Sequence, residues 1–235
     1  MASNGGSNTN GGSVASNGGS TPSNGGAPAS NGGSTTSSST PTGKTVTFAS
    51  GKGVGAMVGY GWVALGAEDT ITDPTCGATK AAITNAAPCT TTTNWSSTSS
   101  LCMTGSIPIV SGSTDYGPNW GVSVGVNATD PPGSGLGQNL TSVAITVTGA
   151  PTSGLRAVVH RKGDTDQVTY CAALTSGAAI TLTSFVTDCY DTPATGTTIT
   201  TADIPNIDKI SVQVSSGTAA AITVTNLCLT GITFQ

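Results

Sequence analysis

The closing stretch 206–235, NIDKISVQVSSGTAAAITVTNLCLTGITFQ, does most to restrict what this chain can become. It reads as two long strands joined at Ser215-Ser216-Gly217. Ile207, Ile210, Val212 and Val214 form the apolar side of the first, and Ile222, Val224, Leu227, Leu229, Ile232 and Phe234 that of the second. β-Branched residues dominate both, and the Ser-Ser-Gly joint supplies turn chemistry. Leu227-Cys228-Leu229-Thr230-Gly231 echoes Leu101-Cys102-Met103-Thr104-Gly105 far upstream. Matched Cys-Xaa-Thr-Gly segments near the start and at the end of a domain read as neighbouring strands held by a Cys102–Cys228 disulfide. The expected fold class is therefore all-β: a disulfide-stapled β-sandwich, jelly-roll-like, closed by its last two strands.

Six cysteines stand at 76, 89, 102, 171, 189 and 228. None belongs to a Cys-Xaa-Xaa-Cys pair and the lone histidine is His160, so zinc-ligand spacing is missing. The favoured pairing is local for Cys76–Cys89 and Cys171–Cys189, with Cys102–Cys228 closing the domain, each bridge contributing about 2–4 kcal/mol. An all-disulfide framework implies an oxidising compartment, extracellular or periplasmic, and the chain is expected to be secreted to the extracellular side.

Residues 1–43 cannot contribute to a core. Ser-Asn-Gly-Gly recurs at 3–6, 16–19, 23–26 and 30–33, and a Ser/Thr/Pro tract follows. Such a segment is expected to be a disordered linker, leaving residues 44–235 as one β module. No signal-peptide pattern opens the chain, which reads as a segment beginning inside that linker. Charged residues are 8% of the chain, against about 25% in an average domain, and the net charge is −4. Without a basic cluster, nucleic acid and anionic membranes are not expected partners, and no apolar run is long enough to span a bilayer. The expected state is a monomer.

Along the module, short strands recur with turn residues between them. They are expected at 44–48, 55–66, 101–110, 120–127, 142–148, 155–161, 167–174 and 178–186, before the final pair. Residues 67–100 lack clear periodicity and read as a long polar loop braced by Cys76–Cys89. No stretch has helical periodicity, and many short strands at this spacing point to a sandwich or jelly roll.

Several segments resemble one type of module. They are Asp115-Tyr116-Gly117-Pro118-Asn119-Trp120-Gly121-Val122-Ser123-Val124-Gly125-Val126-Asn127, then 154–160 followed by Tyr170-Cys171, and the closing 207–214. Together they are similar to jelly-roll modules appended to secreted bacterial polysaccharide-degrading enzymes. The resemblance covers about 45–235, and it implies a non-catalytic carbohydrate-binding module that tethers such an enzyme to its polysaccharide. The alternative is an extracellular structural, adhesive or fibre-forming module.

Sugar recognition needs aromatic faces for pyranose C–H surfaces and neutral polar groups for hydroxyls. Trp95 and Tyr116 lie in polar stretches where packing gives an aromatic no role. Trp120 opens a strand at an edge, and Tyr190 follows Cys189 in a braced loop. These four are the candidate ligand-binding aromatics, with Arg156 and His160 on one strand face as polar contacts or structural residues; Trp62 is assigned to the core. Glycoside hydrolysis would require two carboxylates across a cleft. Most aspartates here sit in turns, which suit them for other reasons, and no catalytic residues are assigned. No cofactor is expected beyond a structural calcium, for which Glu68, Asp69 and Asp73 are candidate ligands and Asp164 with Asp166 an alternative. Asn94, Asn127 and Asn139 open N-glycosylation acceptor sequences.

Overall fold

A computed structural model describes residues 44–89, 92–111, 118–191 and 193–235. The linker assignment, and Tyr116, fall outside the described residues. Sixteen strands are described: β1 (Thr45–Ala49), β2 (Lys52–Gly55), β3 (Gly61–Leu65), β4 (Thr70–Cys76), β5 (Ala81–Thr84), β6 (Thr93–Asn94), β7 (Leu101–Ile107), β8 (Gly121–Asn127), β9 (Ser142–Ala150), β10 (Leu155–Arg161), β11 (Tyr170–Ala173), β12 (Ala179–Thr181), β13 (Val186–Asp188), β14 (Thr195–Thr198), β15 (Ile207–Ser215) and β16 (Ile222–Phe234).

They form two sheets. One has nine strands, in the order β12-β9-β16-β7-β4-β5, with β1 also on β16, β2 on β1 and β6 on β4. The other has seven, in the order β14-β13-β11-β10-β15-β8-β3. The chain alternates between them: β7 to β8, β8 to β9, β9 to β10, β11 to β12, β15 to β16. The inner quartets β12-β9-β16-β7 and β11-β10-β15-β8 therefore wind as the double Greek key of a jelly roll. Every strand pair is antiparallel.

The core lies between the sheets and is made by alternation. In β8 Val122, Val124 and Val126 point inward, and in β15 Ile210, Val212 and Val214 do the same. β16 departs from strict alternation in a readable way. Its buried residues Val224, Leu227, Leu229, Ile232 and Phe234 are spaced three, two, three, two. Each step of three coincides with a register shift against β9, so two bulges each absorb one residue and keep one face on the core. Asn226, at the first bulge, has φ 48°, a backbone region that asparagine tolerates better than most side chains.

The last two strands are not hairpin partners. β15 lies in the seven-stranded sheet and β16 in the nine-stranded one, and residues 216–221 carry the chain across. The partner of β16 is β7, as the Cys-Xaa-Thr-Gly echo implies: Cys102 and Cys228 are registered opposite each other and bonded. Cys76–Cys89 and Cys171–Cys189 are bonded as well. Residues 67–100 are not one loop, since β4, β5 and β6 extend the nine-stranded sheet there. The 55–66 and 178–186 runs are each shorter in the fold: β3 begins only at Gly61, and a single 3-10 turn at Leu182–Ser184 separates β12 from β13.

Candidate functional site

The outer face of the seven-stranded sheet brings an indole, an amide and a guanidinium onto one surface. Because alternate residues face alternate sides, the register places Trp62, Gly125, Ser211 and Val158 in one row across β3, β8, β15 and β10. The adjacent row is Ala64, Ser123, Gln213 and Arg156. Trp62 thus points away from Val63 and Leu65, which are buried. Assigning Trp62 to the core is corrected here: its indole is half-buried and lies outside.

Its geometry depends on a neighbour without a side chain. A Cβ on Gly125 would stand 2.6 Å from Trp62 Cζ2 and 2.6 Å from Ser211 Cβ. The benzo ring of the indole therefore reaches over the Gly125 backbone toward β15. This coverage accounts for Ser211 being only 3% exposed although it faces outward. Trp62 Nε1 is buried with no hydrogen-bond partner among the described residues. The ring is seated by its shape against glycine and serine rather than by a polar anchor.

At the other end of the face, Tyr190 is 61% exposed. Arg156 places its guanidinium 5.9 Å from the centre of the phenol ring, within the range of a cation–π contact. The Tyr190 hydroxyl donates to Asp188 Oδ1 at 2.8 Å, and that bond, with partial burial, pushes the phenol pKa up. Between the two ends, Gln213 donates through Nε2 to the Trp120 carbonyl at 3.4 Å.

Other expected residues are placed elsewhere. Trp95 is half-buried and packs against the core; its ring lies against Gly51, which has φ 79° and no room for a Cβ. Trp120 is half-buried just before β8. His160 shares the outer face with Arg156 but is 6% exposed. Its Nδ1 is 2.6 Å from Asp208 Oδ1 and its Nε2 is 3.3 Å from the Thr165 carbonyl. A buried imidazole with both nitrogens facing protein acceptors is a structural element of the β10–β15 join, and it has no atom to offer a ligand.

The carboxylates expected to hold calcium do not form one ligand group among the described residues, and four of the five have partners elsewhere. Asp69 turns inward, where its Oδ2 accepts the Gly66 N–H at 2.9 Å. Asp73 accepts from the Ser96 hydroxyl at 2.5 Å, and Glu68 is exposed. Asp164 takes both Nε and Nη2 of Arg161, at 3.0 and 2.8 Å, and Asp166 pairs with Lys209 at 2.6 Å. Among the described residues, no group of three or more His, Cys, Asp or Glu side chains comes together. Of the glycosylation acceptors, Asn127 is buried in β8 and Asn94 Nδ2 donates to the Gly77 carbonyl at 2.8 Å, whereas Asn139 is exposed.

No family model matches the chain, and no curated protein matches it.

The residue that sequence reasoning misplaced, Trp62, had a signal. Tyr60 and Trp62 alternate with Gly61 and Val63, and Val63 with Leu65 makes the apolar side. Once Val63 and Leu65 take the core side of β3, alternation leaves Trp62 on the outer face.

Proposed function

We propose that residues 44–235 form a non-catalytic polysaccharide-binding module of a secreted protein, and that the outer face of the seven-stranded sheet is its binding surface. The observation that carries this reading is Trp62 laid over Gly125 on a sheet face whose neighbours are Ser123, Ser211, Gln213 and Arg156. An indole seated on glycine presents its π-surface, while the half-buried amide of Gln213 and guanidinium of Arg156 on the same face suit sugar hydroxyls, Ser123 and Ser211 being buried beneath it. Trp62 and Arg156 stand three strands apart, about 14 Å by strand spacing, so the Trp62 and Tyr190 ends would meet one extended chain and not a single sugar.

Three disulfides support an oxidising compartment. Among the described residues no helix is long and apolar enough to cross a membrane. Tethering an enzyme to its substrate raises local concentration without any catalytic residue in the module.

The test is affinity electrophoresis of the full chain through gels containing neutral and acidic polysaccharides, with Trp62→Ala and Tyr190→Ala beside the parent. Trp62→Ala is expected to weaken retention by about tenfold or more, the scale of a lost aromatic anchor, with little change in thermal stability. Retention of Trp62→Ala equal to that of the parent would remove this surface.

A further inference from the structure

The register that turns Trp62 outward also fills the row beside it. A Cβ on Gly61 would meet Leu101 Cδ2 at 2.6 Å, so Gly61 faces the core and Tyr60, like Trp62, faces out. Two residues of strand rise, about 6.6 Å, separate the backbone positions of the two aromatics. Lys52 of β2 is bridged to Tyr60, and directly opposed residues share a face. Lys52 Nζ stands 4.1 Å from the centre of the Tyr60 ring, within cation–π range, and 2.7 Å from Asp130 Oδ2. Further along the row Asn127 lies beside Tyr60, and Lys209 beside Asn127.

Stability does not account for this cluster. Lys52 and Asp130 keep 38% and 31% of their side-chain surface in solvent, and exposed ion pairs contribute little to folding. The bonding capacity of the pair is also not used up. An ammonium has three donors; one is taken by Asp130 and another by the face of Tyr60. Asp130 Oδ1 has no hydrogen-bond partner among the described residues. The bond to Asp130 pushes the Lys52 pKa up, so the ammonium stays charged throughout the neutral range.

We infer that Lys52, Asp130 and Tyr60 form a second subsite of the Trp62 surface, which takes a neutral sugar through two adjacent hydroxyls and rejects an acidic one. This subsite presupposes the polysaccharide reading above and adds the charge class of the ligand. A hydroxyl both donates and accepts. Neighbouring hydroxyls of one pyranose can therefore donate to Asp130 Oδ1 and accept from Lys52, two charge-assisted bonds made together, while the next sugar of the chain lies on Trp62. A uronate or sulfate group in the same place would have to draw Lys52 away from Asp130 and would face that carboxylate. The other lysine of the row is matched in the same way, its ammonium 2.6 Å from Asp166. Across the face, Arg156 lies over Tyr190, whose hydroxyl is bonded to Asp188. The cations of this surface thus stand beside carboxylates or an aromatic ring, in a chain of net charge −4.

The experiment is affinity electrophoresis of the full chain in gels cast with soluble β-glucan, with galactomannan and with polygalacturonate, at low and at raised salt. The parent is compared with Lys52→Met, Asp130→Asn, the double variant Lys52→Met/Asp130→Asn, and Trp62→Ala. The parent should be retained by a neutral gel and not by polygalacturonate. Lys52→Met keeps the apolar stem and removes the donor, and should weaken neutral retention by about tenfold. Asp130→Asn leaves the ammonium unmatched, so it should weaken neutral retention and acquire retention on polygalacturonate that salt abolishes. The double variant should lose neutral retention without that gain. A gain of binding cannot come from a damaged fold, and thermal melts of all variants should match the parent. Neutral retention unchanged in Lys52→Met and Asp130→Asn but lost in Trp62→Ala would overturn the subsite and leave the Trp62 surface standing. A parent held by polygalacturonate more strongly than by either neutral gel would overturn it as well, and so would an Asp130→Asn variant that gains nothing on polygalacturonate. If Trp62→Ala is retained like the parent while Lys52→Met is not, the Trp62 reading fails and the Lys52 subsite stands. A parent that no gel retains overturns both.

Discussion

Single residues on this scaffold show how much is decided by what a position lacks. Gly125 has no Cβ, and that absence lets an indole lie across the sheet. Asp69 lacks a full set of partners: it is 2% exposed, its Oδ2 is bonded to Gly66, and its Oδ1 has no partner among the described residues. Burial pushes its carboxyl up from the usual aspartate range, against the backbone N–H bonds that favour the anion. A group whose folded pKa is raised lowers stability once the unfolded chain ionises, so the cost is absent below about pH 4 and grows as pH rises above it. Asp69→Asn keeps an oxygen for the Gly66 N–H and removes the charge. It is expected to raise stability at pH 7 by about 1 kcal/mol, within the usual scale for a buried polar group, with the gain fading toward pH 4. Urea unfolding at both pH values checks this, and an equal loss at both would show that charge is not the cost.

Among the elements, β7 and β16 are neighbours held both by strand pairing and by a covalent bond. They were legible in the sequence because the Cys-Xaa-Thr-Gly echo marks both their adjacency and the Cys102–Cys228 bond. The bulges of β16 went unread, although the three-two-three-two spacing of Val224, Leu227, Leu229, Ile232 and Phe234 carries them. β4 and β5 were not legible. Thr70–Cys76 reads TITDPTC, with a proline inside and only Ile71 as a strong apolar anchor; its alternation is too brief to register, and its place is set by pairing with β7 and by the Cys76–Cys89 bridge. Sheet assignment of the last two strands also escaped sequence reading, since a Ser-Ser-Gly joint serves a hairpin and an inter-sheet crossing equally well. The candidate site was legible only at its edges. Tyr190 and Arg156 stand on the proposed surface, but Trp62 needed the register to show which way it faces.

The bridges should then differ in consequence. Cys102–Cys228 spans a sequence separation of 126 and Cys76–Cys89 one of 13. Replacing both members of the long bridge by alanine should cost about 3–5 kcal/mol by unfolded-chain entropy, a fall in Tm on the order of 10 °C for a domain of this size. Removing Cys76–Cys89 should cost less and loosen chiefly the β4–β5 segment. Calorimetry with hydrogen exchange would separate the two. A larger Tm fall for the short bridge would contradict this order.

At the scale of the whole molecule, the two carboxylates held below their usual range stand in one cluster. Arg161, at the end of β10, binds Asp164 through two nitrogens and Asp203 through Nη1 at 2.6 Å. Tyr170 adds its hydroxyl to Asp164 at 3.3 Å. This cluster joins the β10–β11 turn to the segment that enters β15, so it ties together two of the longest connections in the seven-stranded sheet. Hydrogen bonds from the Thr200 hydroxyl and N–H, then Arg161, hold Asp203 at about 2, and Arg161 holds Asp164 below the usual range. Carboxylates depressed in the folded state contribute stability that is complete above the unfolded value near 4 and disappears as pH falls through the folded one. The contribution of this cluster should therefore be nearly flat from about pH 5 to 8 and decline between about pH 4 and 2, with the opposite-signed Asp69 cost superimposed on it. The Asp203 share is on the order of 1 kcal/mol, because its exposed side is screened by solvent. Asp203→Asn should lower stability at pH 7 and flatten the acid limb, whereas the long-bridge alanine variant should lower the whole curve without changing its shape. Urea titrations across this range measure both. An acid limb just as steep in Asp203→Asn would place the sensitivity outside the Arg161 cluster.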